Sequence, residues 1–531
     1  MAIILMLCLG LYSCKNETPP ENYQIFKCYL NSHLNSLDPA FARDLTAMNV
    51  SLQLFDALVA VDENNNIVPS LAKSWEISDD GLRYTFHLRP KVLFHEDAKV
   101  FRHNSERLVT AQDVVFSLSR ITDPKTASPG AWIFADRLDE KEAFFVLNDS
   151  TFQLRLRKPF RPMLGILSMQ YCGIVSQKAA KYYDIDFREH PIGTGPFYVK
   201  AWREGESIVL RRNENYWEKD TLGNAFPYLD AVKFIFSENK KQSFLAFMQG
   251  EIDYLSGIDA SYKDELLEKD GSLKKSLRNN IVLHKTPYLN TEYLGFLLTE
   301  ESPFRQKKIR QALNYGFDRQ TMMQYLRNNI GIPATAGFVP KGLPTFAPPQ
   351  PGYTYQAEKA KALLADLGYG LENPLKIRLF TTSSYKDLAT FIQQQWQQIG
   401  INLSIELLPS AHLREQMSKG TATFFRASWI ADYPDEESYF TVFYGKNPAP
   451  PNYTRFNSTF FDKLYEQSLQ ENNDSIRRSL YRKMDSMLIE EAPIIPLYYD
   501  EVMRFYSPKI HGLKDNAFNL LFLKYVYKSE E

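Results

Sequence analysis

The sequence predicts an α/β protein built from at least two lobes. The chain has 531 residues, whereas a single hydrophobic core stops growing at about 250–300 residues. Strand and helix signals alternate along the chain, which is typical of α/β architecture. No internal repeat or low-complexity tract interrupts this alternation.

The clearest predicted unit lies late in the chain. Apolar and polar residues alternate over residues 375–379 and again over 401–407, as in two strands. Between them, apolar residues recur at helical spacing over residues 388–399, and Ser383 and Ser384 are candidate N-caps. This order predicts a parallel strand–helix–strand crossover.

The charge balance argues against a nucleic-acid partner. The chain carries 62 Lys and Arg against 63 Asp and Glu, a formal net charge of −1. It therefore has no basic excess with which to follow a phosphate backbone. Aromatic residues make up 14% of the chain, which suits a large core or an aromatic-lined cleft.

The N-terminal residues have the pattern of a lipoprotein signal. Residues 3–11 form an apolar run that is too short to span a bilayer, and Leu11-Tyr12-Ser13-Cys14 follows it like a bacterial lipobox. We predict a signal peptide over residues 1–13, lipidation of Cys14 and a polar tether over residues 14–21. No Lys or Arg precedes the apolar run, which a misplaced start codon would explain. The competing interpretation is a buried first strand with a chance cysteine.

Cys28 and Cys172 are the cysteines that follow the predicted anchor. They either form a disulfide in an oxidising compartment or remain as two buried thiols, and the sequence leaves both open. No Cys-x-x-Cys pair occurs, so a zinc ribbon or a thioredoxin-like redox site has no support. No later stretch of transmembrane length is free of charges, so the lipid anchor is the one membrane contact that we predict.

Eight short segments spread over the chain form an ordered set of motifs. They are residues 34–39 (LNSLDP), 54–58 (LFDAL), 69–75 (PSLAKSW), 80–89 (DGLRYTFHLR), 110–117 (TAQDVVFS), 191–197 (PIGTGPF), 429–435 (WIADYPD) and 492–499 (APIIPLYY). Each is weakly specific alone, but the ordered set is highly specific. On these residues the chain resembles the peptide/nickel-type family (family 5) of ABC transporter substrate-binding proteins, in particular its oligopeptide- and dipeptide-binding lipoproteins. One departure follows Phe94-His95, where Glu96-Asp97-Ala98 replaces the family's usual Asp-Gly turn.

The resemblance implies a large two-lobed periplasmic-binding-protein fold of the class II type, with an extra inserted domain and a hinge. Lobe I would be discontinuous and would combine residues 22–60, 190–285 and 496–531. The inserted domain would cover residues 61–189, and lobe II residues 286–495. The ligand would lie between the lobes, and hinge closure would bury it.

The resemblance also implies a function without covalent chemistry. The protein would sit in the periplasm or cell envelope on its lipid anchor, capture di- or oligopeptides, and deliver them to the permease subunits and ATPases of an ABC importer. Some family members bind a nickel complex, a haem-like compound or an oligosaccharide, so a non-peptide ligand is the alternative. A secreted peptidase is a further alternative, although no Gly-x-Ser-x-Gly or His-Glu-x-x-His motif supports it. We expect a monomer without a cofactor.

Asp432 and Arg426 are the principal site residues that the resemblance implies. An ammonium taken out of water needs a carboxylate partner, and the Asp of the family's Trp-x-x-Asp segment, here Asp432, takes this role in peptide binders. Arg426 lies six residues earlier, at the spacing that oligopeptide receptors show, and its guanidinium can hold a carboxylate directly or through water. The alternatives are a turn-forming Asp and an internal ion pair.

The remaining predicted site residues are aromatic or lie near the N-terminus. Trp429 and Tyr433 are predicted to wall a side-chain pocket, with core packing as the alternative for each. The segment Asn35, Ser36 and Leu37 is predicted to lie beside the peptide backbone, with an ordinary loop as the alternative. Tyr498 is predicted to face the cleft where the chain returns to lobe I.

Two further patterns are weaker. Gly193-Thr194-Gly195 resembles part of a phosphate loop, but Pro196 removes an amide and no Gly-Lys-Ser/Thr follows, so we predict a turn before a strand at Phe197. His87, His95 and His103 recur every eight residues. Strand alternation and the family's Phe-His pattern account for His87 and His95, so we predict no metal site.

Overall fold

The computed structural model describes residues 23–258, 262–346 and 351–529. The predicted signal peptide, the tether and Cys14 fall within residues 1–22 and lie outside the described residues. Within the described ranges, no helix is both long enough and apolar enough to cross a membrane.

Fourteen α-helices occur in the described part of the chain. Several begin at the side-chain caps that their sequences favour: Asp44 accepts a hydrogen bond from the Ala47 amide at 3.0 Å, and Thr110 and Asp113 form a capping box. In chain order the helices are α1 (Leu45–Leu54), α2 (Ala111–Thr122), α3 (Met163–Leu167), α4 (Gln177–Tyr183), α5 (Lys240–Met248), α6 (Lys263–Leu266), α7 (Lys307–Tyr315), α8 (Arg319–Arg327), α9 (Ala357–Ala365), α10 (Lys386–Gln397), α11 (Ser410–Lys419), α12 (Glu437–Phe440), α13 (Thr459–Gln470) and α14 (Asp474–Glu491).

Nineteen β-strands occur in the same described ranges, and most belong to one large sheet. In chain order they are β1 (Ile25–Leu30), β2 (Val59–Val61), β3 (Ile67–Pro69), β4 (Ala72–Ile77), β5 (Arg83–Leu88), β6 (Phe144–Asn148), β7 (Thr151–Arg155), β8 (Phe197–Arg203), β9 (Ser207–Arg212), β10 (Ala231–Phe236), β11 (Tyr254–Ser256), β12 (Val282–Phe296), β13 (Ile332–Pro333), β14 (Leu375–Thr381), β15 (Ile401–Leu407), β16 (Phe424–Ile430), β17 (Ile494–Tyr506), β18 (Ile510–His511) and β19 (Tyr527–Lys528).

The predicted strand–helix–strand unit is confirmed. β14 and β15 pair in parallel, with Leu375 opposite Ile401, and α10 connects them. The predicted serine caps are wrong. Ser383 starts a 3-10 turn that ends at Tyr385, and α10 begins at Lys386 without a side-chain cap. Both serines therefore lie inside the 3-10 turn that leads the chain into the helix, and not at the N-cap position.

The large sheet has eleven strands and passes through both lobes. Its order is β15-β14-β16-β12-β17-β11-β1-β10-β9-β8, with β13 attached to β17. We call the part with β14–β16 lobe II and the part with β1 and β8–β11 lobe I. β12 and β17 pair along both parts, and their register shifts between Pro287 and Thr291. These two strands are the only sheet elements among the described residues that belong to both lobes, so they form the hinge.

A second, four-stranded antiparallel sheet lies between the first and second segments of lobe I along the chain. Its order is β4-β5-β7-β6, and α2, α3 and α4 accompany it. Its core is continuous with that of lobe I, because one cluster of buried apolar side chains joins Phe26 and Phe234 to Phe86 and Phe152. We call residues 61–189 the inserted segment. The exact domain limits stay predictions.

Lobe II has two cores, one on each face of its part of the sheet. Tyr293 of β12 belongs to one buried cluster and Leu294 to the other, as the alternation of side chains along a strand requires. Trp396 of α10 is fully buried in the second cluster and stacks on Phe424 of β16. The fold is therefore a two-lobed α/β architecture whose lobes are joined by β12 and β17.

The Gly193-Thr194-Gly195 segment supports helix α1. A Cβ atom added at Gly195 would lie 2.5 Å from the Gln53 carbonyl oxygen, so α1 packs directly on the glycine backbone. The Gly195 amide donates to the Leu54 carbonyl at 3.0 Å, and β8 begins at Phe197 as predicted. Close packing of two backbones thus explains these glycines without a phosphate ligand.

Both cysteines of the described chain are free thiols. Cys28 lies in β1 and Cys172 lies in the inserted segment, and both are buried. Burial raises the pKa of each thiol well above its ordinary value. Of the two interpretations that the sequence left open, the structure shows the pair of buried thiols.

Candidate ligand-binding cleft

Three cavities surround the N-terminus of α1. Their volumes are about 440, 620 and 910 Å³, within the range of small-molecule sites. Asp44, the N-cap residue of α1, lines all three. The first cavity lies between lobes I and II, the second lies beside the hinge, and the third lies between lobe I and the inserted segment. We call these three cavities together the cleft.

The first cavity is walled by all three parts of the molecule. Leu45 and Met48 of α1 form the lobe I wall, Met169 belongs to the inserted segment, and Ile430 and Asp432 come from the end of β16 in lobe II. Most of the wall is apolar, so a carboxylate in it stands out as a polar anchor.

Asp432 supplies that carboxylate. The residue is exposed to the cleft, and its carboxylate has no hydrogen-bond or ion-pair partner among the described residues. Partial removal from water and the nearby Glu437 carboxylate raise the pKa of Asp432 to about 6, and Arg137 of the inserted segment offsets part of this rise. An unpaired carboxylate in a mostly apolar cavity is a site that favours a cation.

Tyr433 joins lobe II to the inserted segment. Its ring is buried and lines the first cavity. A Cβ atom added at Gly165 of α3 would lie 3.3 Å from the Tyr433 Cβ, so the two parts are in direct contact there. The Tyr433 hydroxyl donates to the buried carboxylate of Glu437. Tyr433 therefore lines the cavity and packs between the two parts, and its role as the wall of a ligand side-chain pocket stays a prediction.

Arg426 is held by groups inside lobe II. Its guanidinium donates to the Glu292 carboxylate of β12 and stacks on the Tyr385 ring, with the guanidinium carbon 3.5 Å from the ring centre. Only 14% of the Arg426 side chain and 4% of the Glu292 side chain are exposed. Arg426 does not line any of the three cavities. The structure shows the internal ion pair, and direct contact of Arg426 with a ligand stays a prediction.

The edge of β16 opposite β12 is largely unpaired. β14 pairs with β16 at a single position, Phe380 opposite Phe425. From Arg426 to Ile430, this edge has no strand partner in the described ranges. Free amide and carbonyl groups thus lead along β16 toward Asp432. No sequence pattern predicts this free edge, because it depends on where the neighbouring strand β14 ends.

A family model settles the identity of the fold. The model described as "Bacterial extracellular solute-binding proteins, family 5 Middle" matches residues 66–451. The chain belongs to this family. This match confirms the family that the eight ordered sequence motifs predicted.

Known relatives of this family 5 protein match it over nearly their whole length. Heme-binding protein A of Haemophilus influenzae is 29% identical over 510 residues, which cover 90% of this chain and 88% of that protein. The unliganded open form of a periplasmic murein tripeptide-binding protein matches with a TM-score of 0.81 and 25% identity, over 95% of this chain and 97% of that chain. A periplasmic binding protein of Helicobacter pylori in complex with the peptide STSA matches with a TM-score of 0.75 and 26% identity, over 95% and 98%.

Trp429 packs against a core of lobe II. It is half-buried beside the cluster that contains Phe425 and Tyr439. Its indole Nε1 is buried and makes no hydrogen bond, and Trp429 does not line any of the three cavities. The structure therefore places Trp429 in the packing role that was the alternative, and a pocket role in this family 5 protein stays a prediction.

The segment Asn35, Ser36 and Leu37 lies toward the inserted segment. Leu37 is buried in the core of lobe I, and its amide donates to the Arg188 carbonyl at 2.9 Å. The Asn35 carbonyl accepts a hydrogen bond from the Arg188 side chain at 3.3 Å. Asn35 and Ser36 line the third cavity. Contact with a ligand backbone stays a prediction for Asn35 and Ser36, since part of this segment's polar groups is already bonded.

Tyr498 is buried in lobe II at the hinge. Its side chain is 1% exposed, and its hydroxyl accepts a hydrogen bond from Arg327 at 3.0 Å. Tyr288, which the sequence reasoning missed, lines both the first and the second cavity from the register shift of β12. Tyr288 therefore occupies the cleft-facing hinge position that was predicted for Tyr498, whose own ligand contact stays a prediction.

The histidines of the inserted segment do not form a metal site in the described chain. No group of three or more His, Cys, Asp or Glu side chains that could hold a metal ion occurs there. His95 is buried, and its Nε2 lies 3.0 Å from the Gly195 carbonyl oxygen. Burial lowers the pKa of His95 to about 4, so a neutral ring braces the glycine turn.

Proposed function

We propose that this family 5 protein captures peptides in the cleft and delivers them to an ABC importer. The observation that carries the proposal is the unpaired Asp432 carboxylate at the end of the open β16 edge. A peptide offers an ammonium for the carboxylate and a backbone for the edge. Matching proteins of the same fold are described as binding a murein tripeptide and the peptide STSA.

Hinge motion would couple capture to transport. β12 and β17 connect the two lobes, and their regular pairing is interrupted by the register shift near Tyr288, where we expect the bending. A ligand that contacts both lobes stabilises the closed form, which the permease subunits recognise. We also propose that Cys14 carries the lipid that holds the protein at the membrane surface, and that the protein acts as a monomer.

Mass spectrometry of the purified protein tests the ligand class. The protein is denatured after purification from its host, and the released small molecules are analysed. We expect a mixture of short peptides, because a ligand present at about 1,000 times its dissociation constant adds roughly 4 kcal/mol of stability to the bound form. Release of a single haem-like compound, oligosaccharide or metal complex would instead identify the alternative ligand class. Peptide fragments that appear only on incubation with longer peptides would indicate a peptidase.

Affinity for peptides should fall in mild acid. The pKa of Asp432 is about 6, and an ammonium binds the ionised carboxylate. The ionised fraction drops about tenfold between pH 7 and pH 5, so the dissociation constant for a peptide with a free N-terminus should rise about tenfold. Isothermal titration calorimetry measures this change. An N-acetylated peptide is the control, and an equal pH dependence for it would contradict the role of Asp432.

A further inference from the structure

Apart from Asp432, a second group of charged side chains lies near the cleft, where lobe II meets the hinge strands. These side chains pair with one another. Arg426 and Arg327 are the cations of this network, and Glu292 and Asp500 are its anions. Arg426 pairs with Glu292, and Arg327 pairs with Asp500 at 3.0 Å. Asn290 donates to both acids, at 3.3 Å to Glu292 and 3.4 Å to Asp500. The two positive and two negative charges cancel within the network.

The position of Glu292 follows from the strand register. Glu292 of β12 lies opposite Ser428 of β16, and Leu294 lies opposite Arg426. Glu292 and Arg426 are thus diagonal neighbours on one face of the sheet, within reach of each other. The Tyr385 hydroxyl lies 3.3 Å from the Glu292 carboxylate, while the Tyr385 ring stacks on Arg426. The carboxylate is therefore fixed on the guanidinium from several sides.

Half of the network borders the cleft, in a different cavity from the first cavity, which Asp432 lines. Arg327 and Asp500 line the second cavity, and Arg426 lies six residues before Asp432. β16 ends at Ile430, so the separation is at most the roughly 20 Å of a fully extended chain, and peptides of up to about five or six residues span it. A peptide whose ammonium meets Asp432 and which follows β16 would bring its carboxylate toward Arg426.

We propose that Glu292 is a specificity-determining residue that occupies, on Arg426, the place of a ligand carboxylate. This inference rests on the proposed function. With its charge satisfied by Glu292, Arg426 offers no net attraction to the C-terminus of a peptide. Lobe II therefore binds a ligand cation at Asp432, whereas a ligand carboxylate near Arg426 adds no affinity. The ligands that fit are peptides that bind without a carboxylate at Arg426. Examples are peptides with a C-terminal amide and longer peptides whose C-terminus lies beyond Arg426.

Matched peptides test the proposal. Each peptide, from three to six residues long, is made with a free C-terminal carboxylate and as the C-terminal amide. Calorimetry gives the ratio of the two dissociation constants for each length. In Glu292→Gln, Arg426 loses its internal partner, and we expect the ratio to shift at least tenfold in favour of the carboxylate at one length or more. Glu292→Asp, which keeps the negative charge, should leave the ratio within about threefold of that of the unchanged protein.

The double variant Glu292→Gln/Arg426→Gln is the second arm. It removes both charges of the pair together, so no unpaired carboxylate remains near the ligand, and it stays informative where Glu292→Gln alone does not fold. We expect the double variant to keep the carboxylate-to-amide ratio of the unchanged protein at every length. A tenfold loss of preference for the carboxylate in the double variant would show that Arg426 already binds the ligand carboxylate, and would overturn the proposal. A folded Glu292→Gln variant with an unchanged ratio would overturn it as well. Failure of every peptide to bind would instead refute the proposed function, and with it this inference.

Discussion

Asp432→Asn should weaken the binding of peptides with a free N-terminus by about 2–3 kcal/mol, or roughly 100-fold. Asp432 is the unpaired carboxylate of a mostly apolar cavity, and Asn keeps its shape while removing its charge. A ligand ammonium would then be desolvated without a counter-charge. Calorimetry with one peptide and both proteins measures the effect.

Two controls separate lost binding from lost folding. The N-acetylated form of the same peptide has no ammonium, so its affinity should be nearly equal for both proteins. Glu358→Gln removes an exposed carboxylate that pairs with Lys361 on α9, away from the cleft, and should leave binding unchanged. An Asp432→Asn protein that binds the free peptide within threefold of the unchanged protein would contradict an ammonium site at Asp432.

Gly195→Ala should lower the free energy of unfolding by about 3 kcal/mol or more, which is the range for forced overlap in a packed site. The added Cβ would lie 2.5 Å from the Gln53 carbonyl oxygen and 2.7 Å from the Phe55 amide nitrogen. Both are backbone atoms, so no side-chain rotation relieves the overlap. The end of α1 would move, and with it the lobe I wall of the cleft.

Thermal and urea denaturation measure this effect. Gly370→Ala is a matched control, because a Cβ atom there has no heavy atom within 4 Å and the glycine φ is not positive. Gly370→Ala should change the unfolding midpoint by little. Equal unfolding midpoints for Gly195→Ala and Gly370→Ala would show that the Gly193-Thr194-Gly195 turn has room for a side chain. Close packing of α1 on the turn would then not explain why glycine is present there.

Asp432 is exposed in the first cavity, which lobe I, lobe II and the inserted segment wall together. Peptide binding is therefore expected to close the lobes and cover Asp432.

Local sequence patterns determined the elements, because they report local physical constraints. Alternation with a period of two predicted β14 and β15, helical spacing predicted α10, and the ordered motifs identified the family. The loop that contains Asp432 could be located in the same way, because Asp432 is itself part of the motif at residues 429–435. The serine caps failed because a 3-10 turn, which propensity alone does not specify, precedes α10.

The tertiary structure alone decided which polar groups are free. Arg426 and Glu292 are 134 positions apart in the sequence, and only the register of β12 against β16 makes them partners. Burial of Leu37 and Tyr498 likewise depends on packing between distant segments. A sequence shows which charges are present. Whether a charge is available to a ligand depends on the neighbours that the fold brings to it, and this is why Asp432 is exposed and unpaired while Arg426 is already occupied.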